Sequence, residues 1–170
     1  MKHLQKQFVD FYVQFHQQQH YFLCHDILEE VWKSQKDYSK KDPIVALILI
    51  ATGCYHYRRE NFNGAYRSFQ KALNLIQQHR SETFMQLGVH KNQLQQLIAR
   101  MVENTAQKRP FAPLMLPLTK EMTEAILKYE PNYNPTTTVV TTPLILNHHK
   151  LRDRTEVVHA RQLAQENKKR

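Results

Sequence analysis

Glycine and cysteine are scarce in this chain: its 170 residues include only three glycines and two cysteines. So little glycine argues against a turn-rich all-β fold and against a glycine-rich loop of the kind that cradles phosphates. Two cysteines, Cys24 and Cys54, are too few for a disulfide framework. They predict small buried thiols in a protein of a reducing compartment.

The chain also lacks a long hydrophobic run. The longest, residues 44–55, is too short to span a bilayer, which takes about 20 apolar residues. Residues 1–6 are not followed by the apolar stretch of a secretory signal. Because 41% of the residues are hydrophobic, a core can still form. These features predict a cytoplasmic protein without a membrane partner.

Acidic residues are in the minority. Lys and Arg number 24 and Asp and Glu number 15, which leaves a net charge of +9. A basic surface attracts nucleic acid or other anions, but no nucleic-acid-binding motif accompanies this charge. The charge is therefore interpreted first as a solubility feature, with a nucleic-acid-associated protein as an alternative.

Apolar residues recur at helical spacing along most of the chain. The pattern predicts an all-α antiparallel helical bundle. A polar break at residues 17–20 is expected to leave His16 and His20 in solvent. The predicted helices cover residues 4–15, 21–36, 43–59, 65–78, 84–104 and 120–129.

The composition divides the chain into three parts. Residues 1–105 carry most of the helical pattern and form the predicted bundle domain. Residues 106–148 are rich in Pro and Thr and predict an extended strap that drapes over the bundle, with one short helix and a strand candidate at residues 136–142. Residues 149–170 predict a basic C-terminal helix or arm.

One pair of helices has the spacing of a tetratricopeptide-type hairpin. Gly53 and Ala65 are small enough to let two helices approach closely, and Phe69 and Ala72 would fill the seam. Only one copy occurs, whereas such arrays need about three repeats. The sequence thus favours a tight αα-hairpin inside a bundle, with a peptide-binding solenoid as the alternative.

The second predicted helix carries the residues with the most chemistry. Phe22, His25, Glu29 and Trp32 share one face through spacings of three and four residues. The third helix ends with a further histidine, His56.

Three interpretations of these residues stay open. The first is a structural hydrogen-bonded pair of His25 and Glu29. The second is a pocket for a small molecule or a protein partner between helices two and three, lined by His25, Glu29, Trp32, Tyr55, His56, Tyr57 and Arg59.

The third interpretation is a metal site that holds zinc or iron through His25, Glu29 and His56. It would make the protein a metal-dependent or acid–base hydrolase-type enzyme. The first two interpretations require no cofactor. The Glu-x-x-His pattern of di-iron bundles is absent. The sequence therefore predicts a binding module first, leaves an enzyme as the alternative, and leaves open whether the chain forms a homo-oligomer.

Two separated motifs carry a family resemblance. The first is His-Asp-Ile-Leu-Glu-Glu-Val-Trp at residues 25–32, and the second is Tyr-His-Tyr-Arg-Arg-Glu-Asn-Phe-Asn-Gly-Ala at residues 55–65. Together they resemble the bacterial and archaeal domain-of-unknown-function family 309. The resemblance covers roughly residues 15–80 and implies a compact helical bundle, with no established activity to transfer. The family carries glycine where Glu60 stands here.

Overall fold

A computed structural model describes residues 4–140 of the chain. The predicted basic arm at residues 149–170 and the end of the strand candidate lie outside the described residues.

Seven α-helices and one π-helical turn form the described part of the chain, which confirms the all-α prediction. A single bridge between Val89 and Leu118 is the only β-type pairing within residues 4–140. No helix of this part is long and apolar enough to cross a lipid bilayer. The elements are α1 (Gln5–Val13), the π turn (Gln14–Gln18), α2 (Tyr21–Lys33), α3 (Pro43–Arg58), α4 (Phe62–Gln78), α5 (Ser81–Gln86), α6 (Lys91–Ala106) and α7 (Lys120–Tyr129).

Helix α3 is the central element, because it packs against α2 on one side and α4 on the other. It is apolar around most of its circumference, as a helix enclosed by neighbours must be. Pro43 occupies its first turn, where the missing N–H leaves no hydrogen bond unmade. Both cysteines are free and buried, as predicted.

Helices α3 and α4 form a close antiparallel hairpin. A Cβ atom placed on Gly53 would lie 2.7 Å from the Phe69 ring, and one placed on Gly64 would lie 3.1 Å from the His56 ring. From Gly53 to His56 the chain advances along α3, while their partners go back along α4 from Phe69 to Gly64. This is the pattern of antiparallel helices. The close approach at Gly53 agrees with the sequence analysis, and the kinship with tetratricopeptide hairpins stays a prediction.

The helix predicted over residues 84–104 is wrong in one respect, since Gly88 divides it into α5 and α6. Gly88 has φ +97°, and the amides of Gly88 and Val89 donate to the carbonyls of Met85 and Phe84 at 3.0 and 3.1 Å. This is the pattern that ends a helix on a left-handed residue. The apolar residues continue in register across the break, which is why periodicity alone missed it.

The Pro-rich segment between α6 and α7 is irregular and lies against the bundle. Leu114 and Leu116 are buried, and the His90 amide donates to the Pro117 carbonyl at 2.9 Å. Thr119 then caps α7, because its hydroxyl accepts from the Met122 amide at 3.1 Å.

The prediction that His16 lies in solvent is wrong. The helix does not fray after α1 but widens into the π turn, and His16 is only 1% exposed. Gln19, which follows the turn in a left-handed conformation with φ 54°, is fully buried. Both side chains bind segments more than 90 residues away, so the polar stretch is an interior joint.

Candidate functional site

Helix α2 has a buried side and an open side. Tyr21, Cys24, Leu28 and Val31 point into the core. His25 and Glu29 are one turn apart on the open side, where their side chains are 30% and 32% exposed. The amphipathic spacing therefore holds an imidazole and a carboxylate at the surface of a rigid helix.

His25 lies between two carboxylates. Its Nδ1 atom is 3.2 Å from Oδ1 of Asp26, and its Nε2 atom is 3.1 Å from Oε2 of Glu29. The other oxygen of Glu29 accepts from Lys33 Nζ at 2.5 Å. A neutral imidazole has one N–H and donates to one carboxylate, whereas an imidazolium donates to both. At least one of the two contacts is therefore a hydrogen bond from the ring to a carboxylate.

Aromatic rings extend this face towards α3. The Phe22 ring is nearly parallel to the His25 ring, with centroids 6.0 Å apart, and its centroid lies 5.5 Å from that of Tyr55. The Arg59 guanidinium lies over the Tyr55 ring at 5.3 Å. The sequence-predicted residues His25, Glu29, Tyr55 and Arg59 are thus linked by contacts that run from the open surface of α2 to the end of α3, although Tyr55 itself is buried.

An open groove runs along the α2 part of this surface. Its volume is about 370 Å³, and we call it the α2 groove. Its lining residues are Phe22, His25, Asp26, Glu29, Glu30 and Lys33. Three carboxylates and one ammonium group give the lining an acidic character that contrasts with the basic chain as a whole.

Trp32 does not line the α2 groove, although it shares the helical spacing. Its indole N–H donates to the Ser39 carbonyl at 2.9 Å and approaches Oδ2 of Asp42 at 3.1 Å. The same Asp42 oxygen accepts from the Ser39 amide at 2.8 Å. The indole therefore ties the loop after α2 to the start of α3, and Asp42 serves this network rather than capping α3 with its side chain.

Tyr57 and His56 also lie apart from the groove lining. The Tyr57 hydroxyl donates to the Arg109 carbonyl at 2.7 Å, which places the phenol beside the end of α6. His56 Nδ1 is 3.2 Å from the side-chain amide nitrogen of Asn61. Burial, together with the positive charge of Arg59, lowers the pKa of His56.

The donor atoms that could share a metal ion come from His25, Asp26 and Glu29, which all lie within 4.8 Å of one another. The sequence interpretation had His56 as the third ligand. In the structure Asp26 supplies the third donor, because its carboxylate turns back to the imidazole of the preceding residue. Helical spacing predicts which residues share a face, but not such a contact between neighbours.

Sequence comparison agrees with the motif analysis. The family model "Domain of unknown function (DUF309)" matches residues 8–68, which include all of α2 and α3. The chain is 30% identical over 170 residues to "Uncharacterized protein YpuF" of Bacillus subtilis (strain 168), and the alignment covers 97% of each chain. No solved structure matches it significantly. The chain therefore belongs to the DUF309 family.

Proposed function

We propose that the protein is a binding module whose α2 groove takes a positively charged group of a small molecule or of a protein partner. The observation that carries the proposal is the placement of His25 between two carboxylates on an open helix face. Asp26, Glu29 and Glu30 supply negative charge, and Phe22 adds an aromatic ring to the lining.

The chemistry of the lining supports binding rather than nucleophilic catalysis. None of the six groove-lining residues has a hydroxyl or thiol side chain, so the groove lacks the Ser, Thr or Cys nucleophile that a neighbouring imidazole commonly activates. Partly exposed carboxylates keep most of their hydration in the free protein. A cationic group that fits the groove is attracted by their negative charge when it binds.

A second candidate function, divalent metal binding, is favoured by the cluster formed by His25, Asp26 and Glu29. One imidazole nitrogen and two carboxylate oxygens are ligands that zinc and iron accept. Because both ring nitrogens face carboxylates, a metal ion would have to replace one of the existing hydrogen bonds.

Nuclear magnetic resonance titration of the full chain tests both candidates. The probes are acetylated triarginine amide and Zn²⁺ alone. The cationic peptide should shift α2 resonances, and Glu29→Gln should weaken its binding about tenfold, since one charge contact is lost without a change in size. Zn²⁺ binding that requires His25 would support the metal candidate.

The matched control is Glu121→Gln, which removes an exposed carboxylate on α7. It should leave both titrations unchanged. If Glu121→Gln weakens binding as much as Glu29→Gln, the attraction is a general charge effect and the proposal is wrong. The proposal also fails if neither probe shifts the α2 resonances.

A further inference from the structure

We infer that residues 14–20, which we call the clamp, are a docking site for an extended peptide. Residues 134–140, which we call the tail segment, occupy the clamp within the same chain. A partner segment of the same extended shape can take the place of the tail segment. This inference is independent of the α2 groove.

The first half of the contact is made by the π turn. Oε1 of Gln17 accepts from the Asn134 amide at 3.1 Å. The carbonyl of His16 accepts from the Thr136 amide, also at 3.1 Å. In both hydrogen bonds the tail segment contributes only a main-chain N–H.

The second half is made by one side chain, that of Gln19. Its Nε2 atom donates to the Thr138 carbonyl at 2.6 Å, and its Oε1 atom accepts from the Val140 amide at 2.9 Å. A carboxamide that both donates and accepts in this way substitutes for the peptide group of a neighbouring β-strand. With the first half, the clamp contacts every second residue of the tail segment, whose non-helical path bends once, at Thr138, where the Thr138 amide donates to the Thr136 hydroxyl at 3.1 Å.

The clamp is held in shape by contacts that do not involve the tail segment. The Arg58 guanidinium donates to the Gln19 carbonyl at 2.6 Å, and the His20 amide donates to the Gln14 carbonyl at 3.1 Å. These contacts fix the left-handed backbone of Gln19 and aim its carboxamide. A preorganised acceptor loses little entropy when it binds a strand.

The contacts also define the partner. Since all four hydrogen bonds go to main-chain atoms, the clamp selects a backbone path, and it requires an N–H, hence no proline, at the positions of Asn134, Thr136 and Val140. Val139 lines a cavity of about 250 Å³ together with Phe62 and Phe111. The matching partner is therefore an extended protein segment with a β-branched apolar residue at that position.

Exchange is energetically accessible. Each neutral hydrogen bond contributes about 1 kcal/mol net. The free energy needed to break all four and release the tail segment therefore lies within the range of local unfolding. Attachment to α7 gives the tail segment an effective concentration of about millimolar, which an outside peptide must overcome. A loosened tail segment should therefore admit an outside peptide that the wild type largely excludes.

The test uses the full chain with Val140→Pro, which deletes one N–H that Gln19 accepts from. The probe is a fluorescent synthetic peptide with the sequence of residues 132–142. The matched control is Thr137→Pro, because Thr137 makes none of the four contacts. Fluorescence anisotropy should show that the probe binds Val140→Pro at least about tenfold more tightly than it binds wild type or Thr137→Pro.

A second probe, the same peptide with proline at position 140, leaves the fold of the protein untouched. It should bind at least about tenfold more weakly, since it lacks one of the docking donors. The inference is overturned if both probes bind alike, or if Thr137→Pro binds the first probe as well as Val140→Pro does. It is also overturned if the double variant Thr136→Pro/Val140→Pro, with two tail donors removed, fails to bind the first probe.

Discussion

His16 and Leu116 are joined by a hydrogen bond across 100 positions of the sequence, in which the Leu116 amide donates to Nε2 of His16 at 2.9 Å. Because Nε2 accepts, the proton of the neutral imidazole is on Nδ1, which donates to the Tyr133 hydroxyl oxygen at 2.7 Å. One buried ring thus holds both the extended segment before α7 and the chain that follows α7. Burial raises the pKa of Tyr133 to about 12.

The neutral state of His16 predicts a loss of stability in mild acid. Burial lowers the pKa of His16 from 6.5 to about 4. Between these two pH values His16 is protonated in the unfolded chain and neutral in the native protein. The free energy of unfolding therefore falls as the pH drops from 6.5 to 4. The loss from this residue should reach about 3 kcal/mol at pH 4, measured by urea unfolding at several pH values.

His16→Gln provides the comparison for that experiment. Burial also lowers the pKa of His56, so the wild-type pH dependence contains contributions from both residues. The variant keeps the contribution of His56 and loses that of His16, so its stability should fall less steeply in this pH range. Equal slopes for wild type and His16→Gln would contradict the prediction.

Two buried tyrosines should respond oppositely to removal of the hydroxyl. The Tyr21 hydroxyl is buried and has no hydrogen-bond partner within residues 4–140, whereas the Tyr12 hydroxyl donates to the Leu87 carbonyl at 2.7 Å. Tyr21→Phe removes an unsatisfied polar atom and should leave the free energy of unfolding unchanged or raise it by up to about 1 kcal/mol. Tyr12→Phe should lower it by about 1 to 2 kcal/mol.

Chemical denaturation of the two variants side by side checks this pair, since the same atom is removed from the same residue type. A clear destabilisation by Tyr21→Phe would show that its hydroxyl is hydrogen-bonded in solution. An unchanged Tyr12→Phe would show that the bond to Leu87 contributes nothing.

Glu60 stands at a backbone position that favours glycine. Its φ is +63°, and the amides of Glu60 and Asn61 donate to the carbonyls of Tyr57 and His56 at 2.9 Å, closing the last turn of α3. A left-handed conformation costs a residue with a Cβ atom about 1 kcal/mol. Glu60→Gly should therefore raise the free energy of unfolding by up to about that amount, and thermal denaturation should show a higher midpoint.

Glu103→Gly is the matched control, because it makes the same change at an exposed position inside α6. It should lower stability by about 1 kcal/mol, as glycine does in a helix interior. If the two substitutions change stability in the same direction, the backbone explanation for Glu60 is wrong.

The helical architecture was predictable because it depends on local patterns. The apolar period of α3, the proline at its first turn and the small residue at the hairpin seam all act within a few residues. The boundaries of α7 were likewise predicted correctly, since Thr119 and the flanking prolines mark them. Gly88 was missed because its effect depends on a backbone angle that hydrophobic periodicity does not report.

Long-range polar contacts were the part that could not be predicted. A run of glutamines and histidines at residues 16–20 has the composition of a surface loop. His16 and Gln19 are buried only because backbone groups from distant parts of the chain form hydrogen bonds with them. The neighbouring sequence contains no signal for those groups. In the candidate site, the proximity of His25 and Glu29 followed from helical spacing, whereas the turn of Trp32 towards Ser39 depends on the path of a loop.

The contact between Gln19 and Thr138 also sets an order of events during synthesis. Thr138 follows Gln19 by 119 positions, so the carboxamide of Gln19 has no partner there until nearly all the described chain has been made. The N-terminal helices can pack together earlier, but the polar residues 16–20 stay hydrated until the distant segment binds them. Closure of this contact is therefore a late step for the described part of the chain, since it needs a segment that lies far downstream of Gln19.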